Sequence, residues 1–122
     1  MTAIARLGAI ALDSGDPRGL GKFYRELLDF EVKHESDELV ALAGNGAMLT
    51  IERVDDHRPP IWPGNEVPKQ MHLDLFVDDL DTAEAATIEL GAVKADFQPE
   101  PDRWRVLLDP SGHPFCLVRS GK

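Results

Sequence analysis

Between Gln70 and Asp79 the residues alternate strictly, with Met71, Leu73, Leu75 and Val77 on one side and His72, Asp74, Phe76 and Asp78 on the other. Such alternation is the mark of a strand whose two faces meet different surroundings. The apolar side has a core to cover. The opposite side brings an imidazole, a carboxylate and an aromatic ring into register, which suits the lining of a pocket: His72 as the polar anchor, Asp74 as a charge-assisted contact, Phe76 as a wall. Each also has an ordinary explanation, since a half-buried histidine with a satisfied hydrogen bond is common and Asp74 could be solvated at a dimer groove.

Other residues capable of chemistry lie further along the chain. Glu52 shares a face with Met48, Thr50 and Val54 by period two, consistent with a carboxylate in a mixed pocket or with an edge glutamate paired to Arg53 or another surface cation. Cys116, between Phe115 and Leu117, is a possible thiolate or simply a small buried hydrophobe. Trp62 and Trp104 stand in or beside proline-rich segments, where an indole either caps a hollow or plugs the core edge. Arg103 and Arg105 flank Trp104 and offer a cation for a ligand carboxylate or for the chain's own surplus acids. His113, between Gly112 and Pro114, reads as a turn residue; His34 and His57 read as solvent-facing.

The elements that must position these groups follow from composition and pattern. At 122 residues the chain reads as one domain. With 22 acidic against 13 basic residues, its net charge of -9 disfavours nucleic acid and anionic membrane surfaces and favours a small neutral or cationic partner. Residues Met1 to Arg6 lack the form of a signal peptide, and no apolar run approaches the ~20 residues of a membrane span. A single cysteine excludes an internal disulfide and fits a reducing compartment, so a cytoplasmic location is expected.

Ile4 to Asp13 reads as a first strand. A helix follows, capped by Asp16 with Pro17 at its first position and an apolar stripe of Leu20, Phe23, Tyr24, Leu27 and Leu28 running to about Asp29. Strands are expected at Phe30 to Glu35, Leu39 to Ala43 and Ala47 to Val54, the last two joined by Gly44-Asn45-Gly46. Residues 55–69, rich in proline, form the long connection. After the alternating strand comes a second helix, with Asp81 as expected N-cap, Glu84 as its box partner and Gly91 past the end. Strands near Ala92 to Phe97, at Trp104 to Leu108 and at Phe115 to Arg119 complete the chain.

The order of strand, helix and three strands thus occurs twice. Ala9 to Asp13 answers Asp74 to Asp78, and Leu28 to Lys33 answers Leu90 to Lys94, about 60 to 65 residues apart. One βαβββ unit cannot bury its sheet alone, so two halves are expected to share a core. No glycine-rich phosphate loop opens either helix, which argues against a dinucleotide-binding sheet.

The sequence resembles the vicinal oxygen chelate superfamily, the glyoxalase and bleomycin-resistance group. The resemblance rests on the repeat, on Phe23-Tyr24-Arg25-Glu26-Leu27-Leu28-Asp29-Phe30, on His72 to Asp79, on Leu90-Gly91-Ala92, and on Asp109-Pro110-Ser111-Gly112-His113-Pro114-Phe115. Asp29 departs from the family's usual left-handed glycine. The resemblance implies an α+β fold in which two βαβββ modules, about 1–54 and 70–122 with a linker at 55–69, form curved mixed sheets around a cup within a single glyoxalase-like domain. It also implies a homodimer, and it leaves open whether the cup closes within one chain or across two.

Metal-dependent members place one ligand on each of four strands, at positions that fall here on Ala9, Glu52, His72 and Cys116. Ala9 has no donor, and Cys116 replaces a carboxylate. The expectation is therefore a metal-free pocket for a hydrophobic or aromatic small molecule, lined by His72, Glu52, Asp74, Phe76, Cys116, Trp62 and Trp104. The alternative is a metal-dependent lyase, isomerase or dioxygenase, in which a divalent metal would sit on Glu52, His72 and Cys116.

Overall fold

The computed structural model describes residues 7–64, 66–69 and 71–120. Residues 4–6 of the expected first strand and Gln70 at the head of the alternating stretch lie outside them. The chain divides into two compact units, one up to His57 and one from Arg58 onward. Each carries the same order of strand, helix and three strands.

The first unit comprises β1 (Ile10–Ser14), α1 (Pro17–Leu28), β2 (Glu31–Glu35), β3 (Leu39–Gly44) and β4 (Ala47–Arg53). The Asp16 carboxylate accepts the Gly19 N–H at 3.2 Å, and Pro17 occupies the first helical position, where no N–H is needed. Leu20, Phe23 and Tyr24 are buried, the two rings meeting edge to face at 4.9 Å. Gly21 lets the helix seat on β3, because a Cβ there would stand 2.8 Å from a Val40 methyl. The helix stops at Asp29, whose φ of 55° and ψ of 44° are left-handed and whose N–H returns to the Arg25 carbonyl. Aspartate tolerates that conformation better than most residues do, which explains how it fills a cap usually given to glycine.

This sheet has the order β1-β4-β3-β2, with β1 parallel to β4 and the remaining pairs antiparallel. Positive φ values at Asn45 and Gly46, 53° and 78°, make the tight turn between β3 and β4. Val40, Leu42, Leu49 and Ile51 form the buried face against α1; side chains of this size contribute about 1.5–3 kcal/mol each when removed from water.

The second unit comprises β5 (Leu73–Val77), α2 (Leu80–Glu89), β6 (Val93–Lys94), β7 (Trp104–Leu108) and β8 (Pro114–Arg119), ordered β5-β8-β7-β6 with β5 parallel to β8. Its core holds Leu80, Val106, Leu107, Phe115 and Leu117. Asp109 is buried at the β7–β8 turn, where its carboxylate accepts the N–H groups of Ser111 and His113 at 2.9 and 3.0 Å. The expected turn role of His113 is thus met by its backbone.

Four sequence expectations change here. Asp79, not Asp81, caps α2, accepting the Thr82 N–H at 2.9 Å. The helix begins at Leu80, so Asp81 already lies in the first turn, and its carboxylate pairs with Arg105 at 3.0 Å. Glu84 closes no capping box; it meets Arg105 at 2.8 Å and Lys94 at 3.3 Å. The strand expected near Ala92 to Phe97 shrinks to Val93–Lys94, because the Gln98 side chain takes over the pairing, bonding both the N–H and the C=O of Val106. Finally, the apolar face of β5 is only half-buried, and Met71 ahead of it is 75% exposed. That strand ends its sheet, so a neighbour covers it on one side alone.

Candidate functional site

A cavity of about 430 Å³ lies within the second unit. Its floor follows from strand register: Asp74 pairs with Cys116 and Cys116 with Val106, so one row crosses β5, β8 and β7 on the same face. The next row on that face runs through Val118 and Trp104. The intervening row, Leu73, Phe115 and Leu107, turns the other way, and Phe115 and Leu107 in it are fully buried. The period of two that fills the core therefore also lines the cavity. Pro114, Pro99, Trp62 and Lys69 complete the walls. Trp62, joined to Pro63 by a cis peptide bond, packs at 5.5 Å from the Phe97 ring and carries the Lys69 ammonium 5.5 Å from its own centroid.

The polar edge of the cavity is a connected chain. Lys69 Nζ lies 3.2 Å from His72 Nδ1, and His72 Nε2 lies 3.1 Å from Asp74 Oδ1. An ammonium has only hydrogens to offer, so Nδ1 accepts and the ring proton sits on Nε2, aimed at Asp74. Asp74 also accepts from the Cys116 thiol. Burial first, then the charge of Asp74, pushes that thiol up to about 11, against a smaller opposing pull from Lys69. Cys116 is accordingly a protonated donor near neutral pH and a poor nucleophile.

Five of the seven expected site residues, Trp62, His72, Asp74, Trp104 and Cys116, line this one cavity. Phe76 shares their face of β5 yet stays outside, with 76% of its surface exposed. Glu52 belongs to the first unit, exposed on β4 opposite Asp13 and Leu39. Its suggested partner Arg53 is engaged by Asp55 at 2.9 Å and Glu38 at 3.8 Å. Arg105 faces α2 rather than the cavity, and the Glu84 and Asp81 carboxylates hold its guanidinium even further up its titration range. Lys69, Pro99, Val106, Pro114 and Val118 escaped the sequence reading. Val106 and Val118 were within reach of it, being two residues from Trp104 and Cys116; the two prolines and Lys69 depend on how loops fold back.

The family model for the glyoxalase-like domain matches residues 9–118. The chain belongs to the glyoxalase-like domain family. Solved structures agree on the fold. A glyoxalase/bleomycin resistance protein/dioxygenase family enzyme from Burkholderia phytofirmans PsJN superposes with a TM-score of 0.73 at 17% identity, over 94% of this chain and 98% of its own. A fosfomycin resistance protein from Listeria monocytogenes, complexed with Mn(II) and a dihydroxypropylphosphonic acid, gives 0.74 at 17% identity, over 98% and 93%. The bleomycin-binding protein of Streptomyces verticillus, complexed with copper(II)-bleomycin, gives 0.58 at 17% identity, over 98% and 100%. At such identities the likeness extends to the fold alone. No curated protein matches by sequence.

The metal arrangement implied by this family does not fit the residues present. Ala9, at the first-strand position, carries no donor atom, and Cys116 offers sulfur where hard metals prefer a carboxylate. Among the described residues, the group whose donor atoms converge is His72, Asp74 and Cys116. Among the same residues, no helix is long and apolar enough to cross a membrane.

Proposed function

We propose that this member of the glyoxalase-like domain family is a small-molecule-binding protein, a cytoplasmic homodimer whose ligand occupies the cavity of the second unit and needs no family-type metal there. The observation that carries the reading is the lining: two indoles, two prolines and two valines around a hollow of about 430 Å³, with the Lys69–His72–Asp74 chain along one side. A volume of that size, mostly apolar with a few converging polar groups, is what a drug-sized or smaller ligand requires. The indoles supply flat, polarisable walls for a hydrophobic or aromatic body. Asp74 retains acceptor capacity for a donor or cation on the ligand, and the acidic chain favours the same polarity. The bleomycin-binding neighbour supports small-molecule capture on this fold. The large exposed side chains of Met71 and Phe76 support a second copy covering the β5 end of the sheet. Metal-dependent lyase, isomerase or dioxygenase chemistry is the weaker reading, since Ala9 leaves its first ligand position without a donor.

A thermal-shift screen of aromatic and cationic metabolites, run with a chelator present, tests the proposal. At least one compound should raise Tm, and its effect should vanish in His72→Ala and in Trp104→Ala but persist in Phe76→Ala. His72→Ala itself should cost less than about 1 kcal/mol of folding stability, because a partly exposed cavity residue supports little core. A shift that survives both cavity substitutions would place the ligand elsewhere and remove the reading.

A further inference from the structure

We infer that the first unit holds a second binding site, for a small amphipathic carboxylate whose head meets Lys22 and Arg25 and whose apolar tail lies on Val32. The site is built from other residues than the cavity of the second unit and asks for a ligand of the opposite polarity. It goes beyond the ligand-binding reading and stands independently of it.

A hollow of about 440 Å³ opens between α1 and the strands β2 and β3, a size that suits a small molecule. It follows from how the helix seats. Register places Val32, Leu42 and Leu49 in one row across β2, β3 and β4. The two leucines of that row are buried, whereas Val32 is 37% exposed. The helix thus seals β3 and β4 and stops short of the edge strand β2. Gly19 and Gly21 line the gap from the helix side and put no side chain into it. Val32 is therefore an apolar surface on the core-facing side of the sheet that the fold itself leaves uncovered, and covering it removes that surface from water.

The charge around the hollow is uneven. Arg18, Lys22 and Arg25, four and three residues apart, stand along one face of α1 and all line it. On a chain of net charge -9, this helix carries three cations against the single carboxylate of Glu26. Near the helix start, Arg18 meets two carboxylates, Glu35 at 3.2 Å and Asp37 at 2.7 Å. Further along the reverse holds: Lys22 Nζ at 2.9 Å and Arg25 Nη2 at 3.7 Å converge on one oxygen of Glu26. The hydrogen bond from Lys22, helped by the charge of Arg25, outweighs burial and holds that carboxyl below its usual range. Two cations therefore share one carboxylate, and their convergence on a single oxygen shows that their spacing suits such a group. A second carboxylate brought by a ligand balances the charge, with the Arg25 fork supplying further donors. Glu26 competes with it, so loss of the Glu26 charge should tighten binding. This sign distinguishes the site from an ordinary ion pair along a helix.

The test uses full-length protein and octanoate as the probe, with acetate and octanol representing its head and its tail alone. In isothermal titration calorimetry octanoate should bind saturably, and acetate and octanol should each bind about tenfold more weakly or worse. Lys22→Met and Arg25→Met should each lower octanoate affinity about tenfold, Val32→Ser should lower it, and Glu26→Gln should raise it. Lys22 is largely exposed, so its replacement leaves the fold intact, and circular dichroism establishes the same for each variant. In proton–nitrogen correlation spectra octanoate should move the amide signals of Gly21, Lys22 and Val32 and leave both indole Nε1–H signals in place. Absence of saturable binding, octanol binding as tightly as octanoate, or an affinity unchanged in both Lys22→Met and Arg25→Met overturns the inference. Indole signals that move while the Lys22 and Val32 amides stay would put octanoate in the second unit's cavity and overturn it too. None of these failures touches the ligand screen, which is read through His72 and Trp104.

Discussion

Replacing Glu84 by glutamine tests whether charge clamps α2 onto the strand that presents Trp104 and Val106. The Arg105 side chain, 14% exposed, spans Glu84 at 2.8 Å and Asp81 at 3.0 Å, while Lys94 reaches the other Glu84 oxygen at 3.3 Å. Burial alone would raise the Glu84 carboxyl, but hydrogen bonds from Arg105 and Lys94 outweigh it and hold the group below its usual range. Glutamine keeps the volume and removes the charge that both cations face. Breaking a fully buried pair costs about 3–5 kcal/mol; with Asp81 still on Arg105 and water nearby, about 1–3 kcal/mol is expected here. The sign with pH follows from the lowered value. The stabilisation is fully present above the ordinary carboxyl range and is lost as pH falls through the folded-state value. Urea denaturation of wild type and Glu84→Gln at neutral pH and near pH 3 should therefore show a gap that closes in acid. A gap under about 0.3 kcal/mol at neutral pH, or one that is unchanged in acid, would refute the clamp.

Two further outcomes are expected. Asp29→Gly should raise stability by about 0.5–1 kcal/mol in the same assay, because glycine adopts the left-handed cap without a Cβ penalty; destabilisation would show that the aspartate side chain serves the cap. In metal-free protein, iodoacetamide should alkylate Cys116 with a midpoint near pH 11, making it about 100-fold slower at pH 8 than a thiol titrating at 9.0. A midpoint near 9 would mean that the thiol faces water rather than Asp74.

Much of this fold is legible because local rules and tertiary demand agree. Asp16-Pro17 and the Leu20-Phe23-Tyr24 stripe define α1 without any long-range information, and Asn45-Gly46 fixes the β3–β4 hairpin. The second helix is harder to place, since Asp79 and Asp81 both qualify as caps in sequence; in the fold Asp79 takes the Thr82 N–H while Asp81, already in the first turn, pairs with Arg105. The short β6 is illegible for a related reason: a glutamine side chain replaces backbone pairing, and no propensity encodes that. At the site, period two puts His72 and Asp74 on one face of their stretch, but it takes strand register, which alternation does not encode, to add Cys116 and Trp104. The same alternation also points to Phe76, which stays exposed at the sheet edge outside the cavity. Glu52 met the same alternation test in the other unit, and alternation carries no information about which sheet a residue serves.

The most direct test of the account uses the fact that both tryptophans of the chain, Trp62 and Trp104, line the cavity. In proton–nitrogen correlation spectra, a ligand found by the thermal screen should shift both indole Nε1–H signals along one saturation curve, and should shift neither in His72→Ala. A ligand that stabilises the protein while both indole signals stay in place would contradict the cavity as the binding site.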